Sequence, residues 1–510
     1  SRSARHYLPR KMPASGTHSD TAVAFSSSQM SPVASASAEG AVALPGGVSV
    51  GTRLALPRIR VRFGPLAGHL ALASLVLGCV AVVVFATGGP SALVARSYAV
   101  FPNWEAGPLH LLTSGLHLNA RTMRWGMSGL LIAMLLAYLV AMAAARSLPA
   151  RSIVVVVVAL HVILLLSPPL LLTDLFNYLG YARLGGLHGL NAYQNGIAQE
   201  LHDPVYQFST WHHLHSPYGP LFTAGSYAVA RLPLAAAYWV FKLVAVGASL
   251  GLLALVWQCA RRLGRDPRLA LVFVALNPIY LVYAVGGFHN DFFMLLPALG
   301  AIALLLSGRE RLAGAALMVA VAVKFNAALL LPFLLLGAGP WARRRRLLEG
   351  AGLGAIPLVA LSLIMFGPTL PNLSDQTTLL TGFSVPNLFG LVIGAGGATP
   401  FLLKLFAVAL VLTVAWLLWR PGDWMSRSGW AMLALTVSLG WLMPWYVIWV
   451  VPLAALGRSW RLRRAVLAFT VFLVITGVPE TPRLLQQHGI SLLNGSAGRA
   501  SRALERSLAQ

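Results

Sequence analysis

SIVVVVVALHVILLLSPPLLLTDLFNYLGYARLGGLHGLNAYQNGIAQELHDPVYQFSTWHHLHSPYGPL, residues 152–221, decides how the chain folds. From Ser152 to Leu172 it carries no Asp, Glu, Lys or Arg. About 20 apolar residues at 1.5 Å each match a hydrocarbon core of about 30 Å, so this run reads as a membrane span. Asp174 follows where the span leaves the bilayer. A carboxylate there costs less than one at the bilayer centre, where the penalty is about 2.5–3.5 kcal/mol or more, yet it still needs a reason. The loop beyond holds His188, His202, His212, His213 and His215, five of the 13 histidines, beside Asn177, Tyr178, Arg183, Tyr193 and Tyr218. That density of titratable and hydrogen-bonding groups, edged by apolar helices, makes the loop the candidate active site.

Working outward, the 510 residues are 57% hydrophobic and only 10% charged, with several further runs long enough to cross a bilayer. The expected fold is therefore an all-α polytopic membrane protein. A net charge of +24 would suggest nucleic acid in a soluble chain. Here the arginines cluster in short loops between apolar runs and no nucleic-acid module is present, so topology and anionic headgroups account for the charge. Cys79 and Cys259 both fall in or beside spans and support neither a disulfide framework nor a metal site.

Residues 1–65, rich in Ser, Ala and Gly, read as a disordered basic cytoplasmic tail with no secretory signal. Residues 66–480 form the multi-helix domain, with the catalytic loop at 173–232, and 481–510 a C-terminal tail. Spans are expected at about 69–88, 126–145, 152–172, 236–258, 269–286, 292–306, a hairpin at 312–336, then 350–367, 400–419, 428–443, 446–457 and 465–478. Arg146 and Arg151, Arg261 to Arg268, Arg309 and Arg311, Arg343 to Arg346, Arg420 and Arg427, and Arg458 to Arg464 mark the cytoplasmic side, whereas Arg96, Arg121 and Arg124 break the pattern. Keeping Arg343 to Arg346 inside requires Gly314 to Leu336 to fold as two short helices about Lys324-Phe325-Asn326. Tyr218 to Ala230 is too short to cross and is expected to lie along the outer face. The total is about 13 crossings, with the N-terminus cytoplasmic and the active site extracytoplasmic.

Only 14 acidic residues are present and none sits at the middle of a span, which argues against a proton-relay transporter. Asp174 is the leading general base, with a helix cap or a partner for Arg183 as the plainer role. Gly286-Gly287-Phe288-His289-Asn290-Asp291 forms a second polar cluster, read as a binding motif or as a cap for the next helix. Lys324, at the hairpin apex, is read as a phosphate-binding ammonium or as a snorkelling side chain. The spacing of His202, His212, His213 and His215 is not that of a zinc site. His215 and Tyr218 belong to His215-Ser216-Pro217-Tyr218-Gly219-Pro220, read as a rigid turn with Tyr218 at headgroup depth. The loop Pro368 to Thr399, with Asp375, Gln376, Asn387 and the Gly-rich stretch Gly394 to Gly397, is read as the lining of an acceptor groove or as a mobile connection. Trp441, Trp445, Tyr446 and Trp449 are read as an interfacial belt or as sugar-stacking rings.

Asp174 with FNYLGYARLGGLHGLNAYQ, then SPYGPLF, LNPIYLVYAVGGFHNDFFMLLPALGAIALLL and VAVKFNAALLLPFLLL, resembles the polyprenol-phosphate-mannose-dependent α-1,6-mannosyltransferases of the glycosyltransferase C superfamily. The four ordered motifs lie within about residues 70–480. The resemblance implies a glycosyltransferase C type fold with a large first catalytic extracytoplasmic loop, the plasma membrane as location, and Asp174 as the base that deprotonates an acceptor hydroxyl. It implies that Lys324 contacts the donor phosphate and that His289, Asn290 and Asp291 bind sugar or phosphate; Asn177, Tyr178, Arg183, His215 and Tyr218 are expected to bind substrate from their place in the polar loop. The implied donor is polyprenyl-phosphate mannose and the implied acceptor a lipid-anchored mannan, as in lipomannan and lipoarabinomannan. Phe176 stands where a metal-binding DxD would need its second carboxylate, so metal independence and no cofactor are expected. An arabinosyl transferase using the same class of donor, or a lipid-linked sugar flippase, are the alternatives.

Overall fold

The computed structural model describes residues 63–87, 101–113 and 119–509. The expected tail, apart from its last three residues, and Arg96 lie outside them. Every element among the described residues is helical. Five helices, Pro65–Thr87, Ala120–Ala144, Leu234–Arg262, Trp341–Phe366 and Pro400–Trp419, are long and apolar enough to cross a membrane. Two bent pairs, Pro267–Ala275 with Ile279–Val285 and Trp460–Gly477 with Glu480–Gln487, raise the number to seven if each is one span. By length and composition five to seven spans are thus found among the described residues, against the 13 crossings expected; the span expected at 152–172 is helical only over Ala150–Leu165, because Ser167-Pro168-Pro169 ends it, and this helix and Asp291–Leu306 are among the shorter apolar helices of the bundle.

Sequence-local chemistry starts many of these helices. Asn119, Asp266, Thr399, Asp423 and Ser459 each accept a hydrogen bond from a first-turn N–H, satisfying a donor that the helix itself leaves free. The Ala150–Leu165 helix buries Ile153, Val157, Leu160 and Leu164 and exposes Val154, Val155, Val158 and Val162. Pro400–Trp419 exposes Phe401, Val411, Leu412, Trp416 and Trp419. Apolar side chains presented all round a helix need an apolar solvent, as in a bilayer.

The arginine loops are tied down in pairs. Arg343 and Arg346 both reach Glu310, whose side chain is only 5% exposed, and Arg311 and Arg345 share Glu349. Arg124, one of the pattern breakers, donates to the nearly buried Glu480 at 3.4 Å. The chain after residue 480 is folded: Ser496–Ala509 is an amphipathic helix that buries Ala497, Ser501 and Leu508.

Two interruptions place the site. The helix Glu310–Val323 stops at Lys324, which is extended (φ −154°, ψ 121°), before the chain turns into Phe325–Leu330 and Leu331–Ala338, so the expected break falls at Lys324. Tyr218 to Ala230 forms the short helix Pro220–Ser226 and one further turn.

Candidate active site

Leu171 (φ 77°) and Phe288 (φ 52°) are the two non-glycine residues with positive φ among the described residues. Each precedes one polar motif, TD and HND. Such backbone costs about 1–3 kcal/mol per residue and persists where the surroundings over-determine it, commonly at functional sites. The two turns are bonded together, since Leu170 N–H donates to the Gly286 carbonyl at 2.9 Å. A Cβ at Gly286 would collide with the Leu170 side chain and the Val282 carbonyl, which is why glycine stands there. The segment Ile279–Val285 leading into this turn is a buried π-helix, a local winding often found beside functional sites.

Asp174 is the first residue of the helix Asp174–Gly186, where the helix dipole favours a negative charge. Its Oδ2 lies 3.3 Å from Nδ1 of His289, and its side chain keeps 16% exposure whereas that of His289 keeps 1%. The His289 ring is stacked flat on Trp445, with centroids 3.7 Å apart and planes at 10°. Asp291 is buried and binds Lys324 Nζ through Oδ1 at 2.7 Å, while Trp449 Nε1 donates to the same oxygen at 2.6 Å. Asp291 Oδ2 and both polar atoms of the Asn290 amide are buried without a hydrogen-bond partner. Groups held unsatisfied in this way await a ligand or carry a cost of about 1–3 kcal/mol each.

One cavity joins these groups. Asp174, Asn177, Tyr178, Tyr218, Asn290, Asp291 and Lys324 line it together with Tyr181, Trp211, Gln376, Trp441, Trp445 and Tyr446. It encloses about 690 Å³ of empty space including its mouth. Burial, then the charge on Asp174, pushes the Tyr178 phenol up; burial, then neighbouring Tyr178 and Asp174, does the same for Tyr218. Both therefore stay protonated. The Ser216–Pro220 turn fixes the Lys324 wall, because Gly219 N–H donates to the Val323 carbonyl at 3.0 Å and a Cβ on Gly219 would strike the Ala322 carbonyl.

Three expected site residues do not line the cavity, and one of them, His289, backs it through its contact with Asp174. His215 is the second. Arg183 faces the loop's interior, donating to Asp203 at 2.8 Å and to the Ala230 carbonyl at 3.0 Å, a long charged side chain used to close the loop on itself. His188 adds a 2.8 Å contact to Asp203, and His212 stacks on Tyr206. His188 and His212 thus serve the loop's packing, while His202 and His213 are exposed. Burial alone would raise the Asp203 carboxyl, but hydrogen bonds from His188, Val205 N–H and Arg183 outweigh it and hold the group below its ordinary 3.8. A depressed folded-state value stabilises the fold above the unfolded value and loses that contribution as pH falls through the folded one. Wild type is therefore expected to melt higher than Asp203→Asn at pH 7, with the gap in thermal midpoint closing as pH drops below 3.8; a gap independent of pH would contradict the ion-pair role.

Sequence reasoning missed Tyr181 and Trp211 as cavity residues and Trp449 as a partner of Asp291. It also missed Lys242, which is fully buried, donates to the Ser167 carbonyl at 2.6 Å and packs on Trp239 and Phe288, bracing the strained turn before His289. A lone lysine within an apolar span gave no sign of that.

The site is thus a polar cavity in a multi-pass helical membrane protein, built from two strained loop motifs and a helix break that supplies a lysine. Residues 75–339, just over half of the chain, match the family model described as alpha-(1->6)-mannopyranosyltransferase, N-terminal domain. The chain belongs to that family. It is similar to alpha-(1->6)-mannopyranosyltransferase A of Mycobacterium tuberculosis, 28% identical over 354 residues that cover 60% of this chain and 64% of the relative. The protein of the same name from Corynebacterium glutamicum is 28% identical over 184 residues, covering 34% of this chain and 36% of the relative. The chain thus spans less than two thirds of the length of these relatives. No solved structure matches it.

Proposed function

We propose that the protein is an inverting membrane mannosyltransferase that moves mannose from polyprenyl-phosphate mannose to a lipid-anchored α-1,6-mannan on the extracytoplasmic face of the plasma membrane. The observation that carries this reading is that one cavity is lined by a partly exposed carboxylate, Asp174, and by the ammonium of Lys324, held by a buried carboxylate of its own. In the proposed reaction the Asp174 carboxylate takes the proton of an acceptor hydroxyl as that oxygen bonds to the anomeric carbon. The bond from that carbon to the phosphate oxygen breaks in line on the opposite face, and its electron pair leaves on the phosphate beside Lys324. Asp174 then returns the proton to solvent. A phosphate is already a competent leaving group, so one base, one cation and correct placement suffice. Asn290 offers its unpartnered amide, and Tyr178 and Tyr218 their protonated phenols, to the sugar hydroxyls.

The family match and the relatives' names support mannosyl transfer with α-1,6 linkage. The direct experiment incubates purified protein with polyprenyl-phosphate [14C]mannose and a short α-1,6-mannoside, and determines the linkage of the product. A new α-1,6 mannosyl residue is expected; no product, or mere translocation of the donor, would refute the proposal. Metal independence is part of it. Among the described residues no three His, Cys, Asp or Glu side chains converge as a metal site. Full activity in excess EDTA is expected, and a loss restored by adding back a divalent cation would overturn this point.

A further inference from the structure

We infer that the wall of the cavity formed by Trp211, Trp441 and Gln376 is the subsite for the terminal pyranose of the acceptor, and that the C-terminal helix Ser496–Ala509 holds this wall in place. This rests on the transferase reading above and adds where the second substrate binds.

The lining divides chemically. Lys324, Asp291 and Asn290 form a charged side held by Trp449, suited to a phosphate and the sugar it bears. In-line displacement requires the incoming oxygen to approach from the face opposite the leaving phosphate, across Asp174. The lining residues outside the charged cluster include Trp211 and Trp441, two half-buried indoles whose centroids are 6.1 Å apart at 77°, and the half-buried Gln376. Indoles offer flat apolar faces for the C–H face of a pyranose, and an amide pairs with its hydroxyls.

This wall is a built structure assembled from distant segments. The Trp211 carbonyl accepts from Asn177 Nδ2 at 3.2 Å, one turn along the helix that begins at Asp174, so the indole is tied to the base's own element. Thr381 N–H donates to the Gly440 carbonyl at 3.0 Å and Leu442 N–H to Thr381 Oγ1 at 3.2 Å, joining the Gln376 segment to the chain on both sides of Trp441. The C-terminal helix locks both. Leu380 N–H donates to Ser501 Oγ at 2.8 Å, and His213 N–H, two residues after Trp211, donates to the Leu508 carbonyl at 2.9 Å. Asn387 Nδ2 reaches the Leu492 carbonyl at 2.7 Å in the approach to that helix.

The test uses the full chain, with steady-state kinetics in both substrates and titration calorimetry of α-1,6-mannotriose binding without donor. Trp441→Ala and Gln376→Ala are expected to raise the acceptor KM, and to weaken mannotriose binding, by about tenfold, while donor KM moves less than about twofold. Trp441→Phe should restore most of the loss, and Leu508→Asp should shift acceptor KM in the same direction by loosening the wall. If Trp441→Ala does not fold, Gln376→Ala and Leu508→Asp carry the test. Donor KM rising while acceptor KM stays put, or unchanged mannotriose binding in every variant, would overturn the subsite. Wild type that binds mannotriose but makes no product would instead remove the transferase proposal and leave the subsite standing.

Discussion

Asp174→Asn is expected to lower kcat for mannosyl transfer by about 10²- to 10⁴-fold, the range over which a positioned general base acts, with little change in thermal midpoint. Asparagine keeps the size of the side chain, but it cannot take a proton. Two carboxylates line the cavity, and the other, Asp291, is engaged by Lys324 and Trp449 through one oxygen and is buried. Substrate binding should survive, so a lipid-donor titration would still saturate while product formation ceases. Retained turnover in a folded Asp174→Asn protein would move the base elsewhere and take the proposed chemistry with it.

Lys324→Met carries the second large effect, and it divides between catalysis and folding. Losing the cation beside the departing phosphate should lower kcat by about 10²- to 10³-fold, the scale of removing one electrostatic stabiliser of developing charge. It also leaves the Asp291 carboxylate, 1% exposed, with only the Trp449 indole on its bonded oxygen. Breaking a buried pair by removing one partner costs about 3–5 kcal/mol, so the thermal midpoint should fall as well. The double variant Lys324→Met/Asp291→Asn separates the two: stability should largely return because no unpaired charge remains, while activity stays lost. If the double variant regains turnover, Lys324 serves the fold and not the phosphate.

Much of this was legible in the chain alone, for a local reason. A bilayer leaves backbone groups no partner but their own helix, so the apolar runs were expected to be helical, yet the run from Ser152 to Leu172 is helical only as far as Leu165 and breaks at Ser167-Pro168-Pro169. Asp174, after such a run, and Lys324, at the break that keeps Arg343 to Arg346 on the cytoplasmic side, stood out because charge near lipid is costly. The motif around Asn290 and Asp291 was visible from the density of its donors within six residues.

Other features depended on residues far apart in sequence. Arg183 looked like a ligand because it sits nine residues beyond Asp174, yet Asp203 and the Ala230 carbonyl claim it inside the loop. The aromatic group at 441–449 left a choice between an interfacial belt and sugar contact. Tertiary packing separates its members: Trp445 backs His289, Trp449 holds Asp291, and Trp441 stands beside Trp211 from another loop. The number of crossings shows the same boundary, since hydropathy counts apolar runs, whereas bends of 54° and 67° at breaks of a few residues decide which runs belong to one span.

The sequence by itself determined the helical membrane class, the break at Lys324 and the few charged groups available for chemistry, because desolvation acts on each segment separately. Only the tertiary structure decided that Asp174 meets His289, that Asp291 secures Lys324, and that the C-terminal helix braces a cavity wall more than 100 residues earlier in the chain. Those pairings depend on strained turns and interloop hydrogen bonds, whose partners no local pattern of residues specifies.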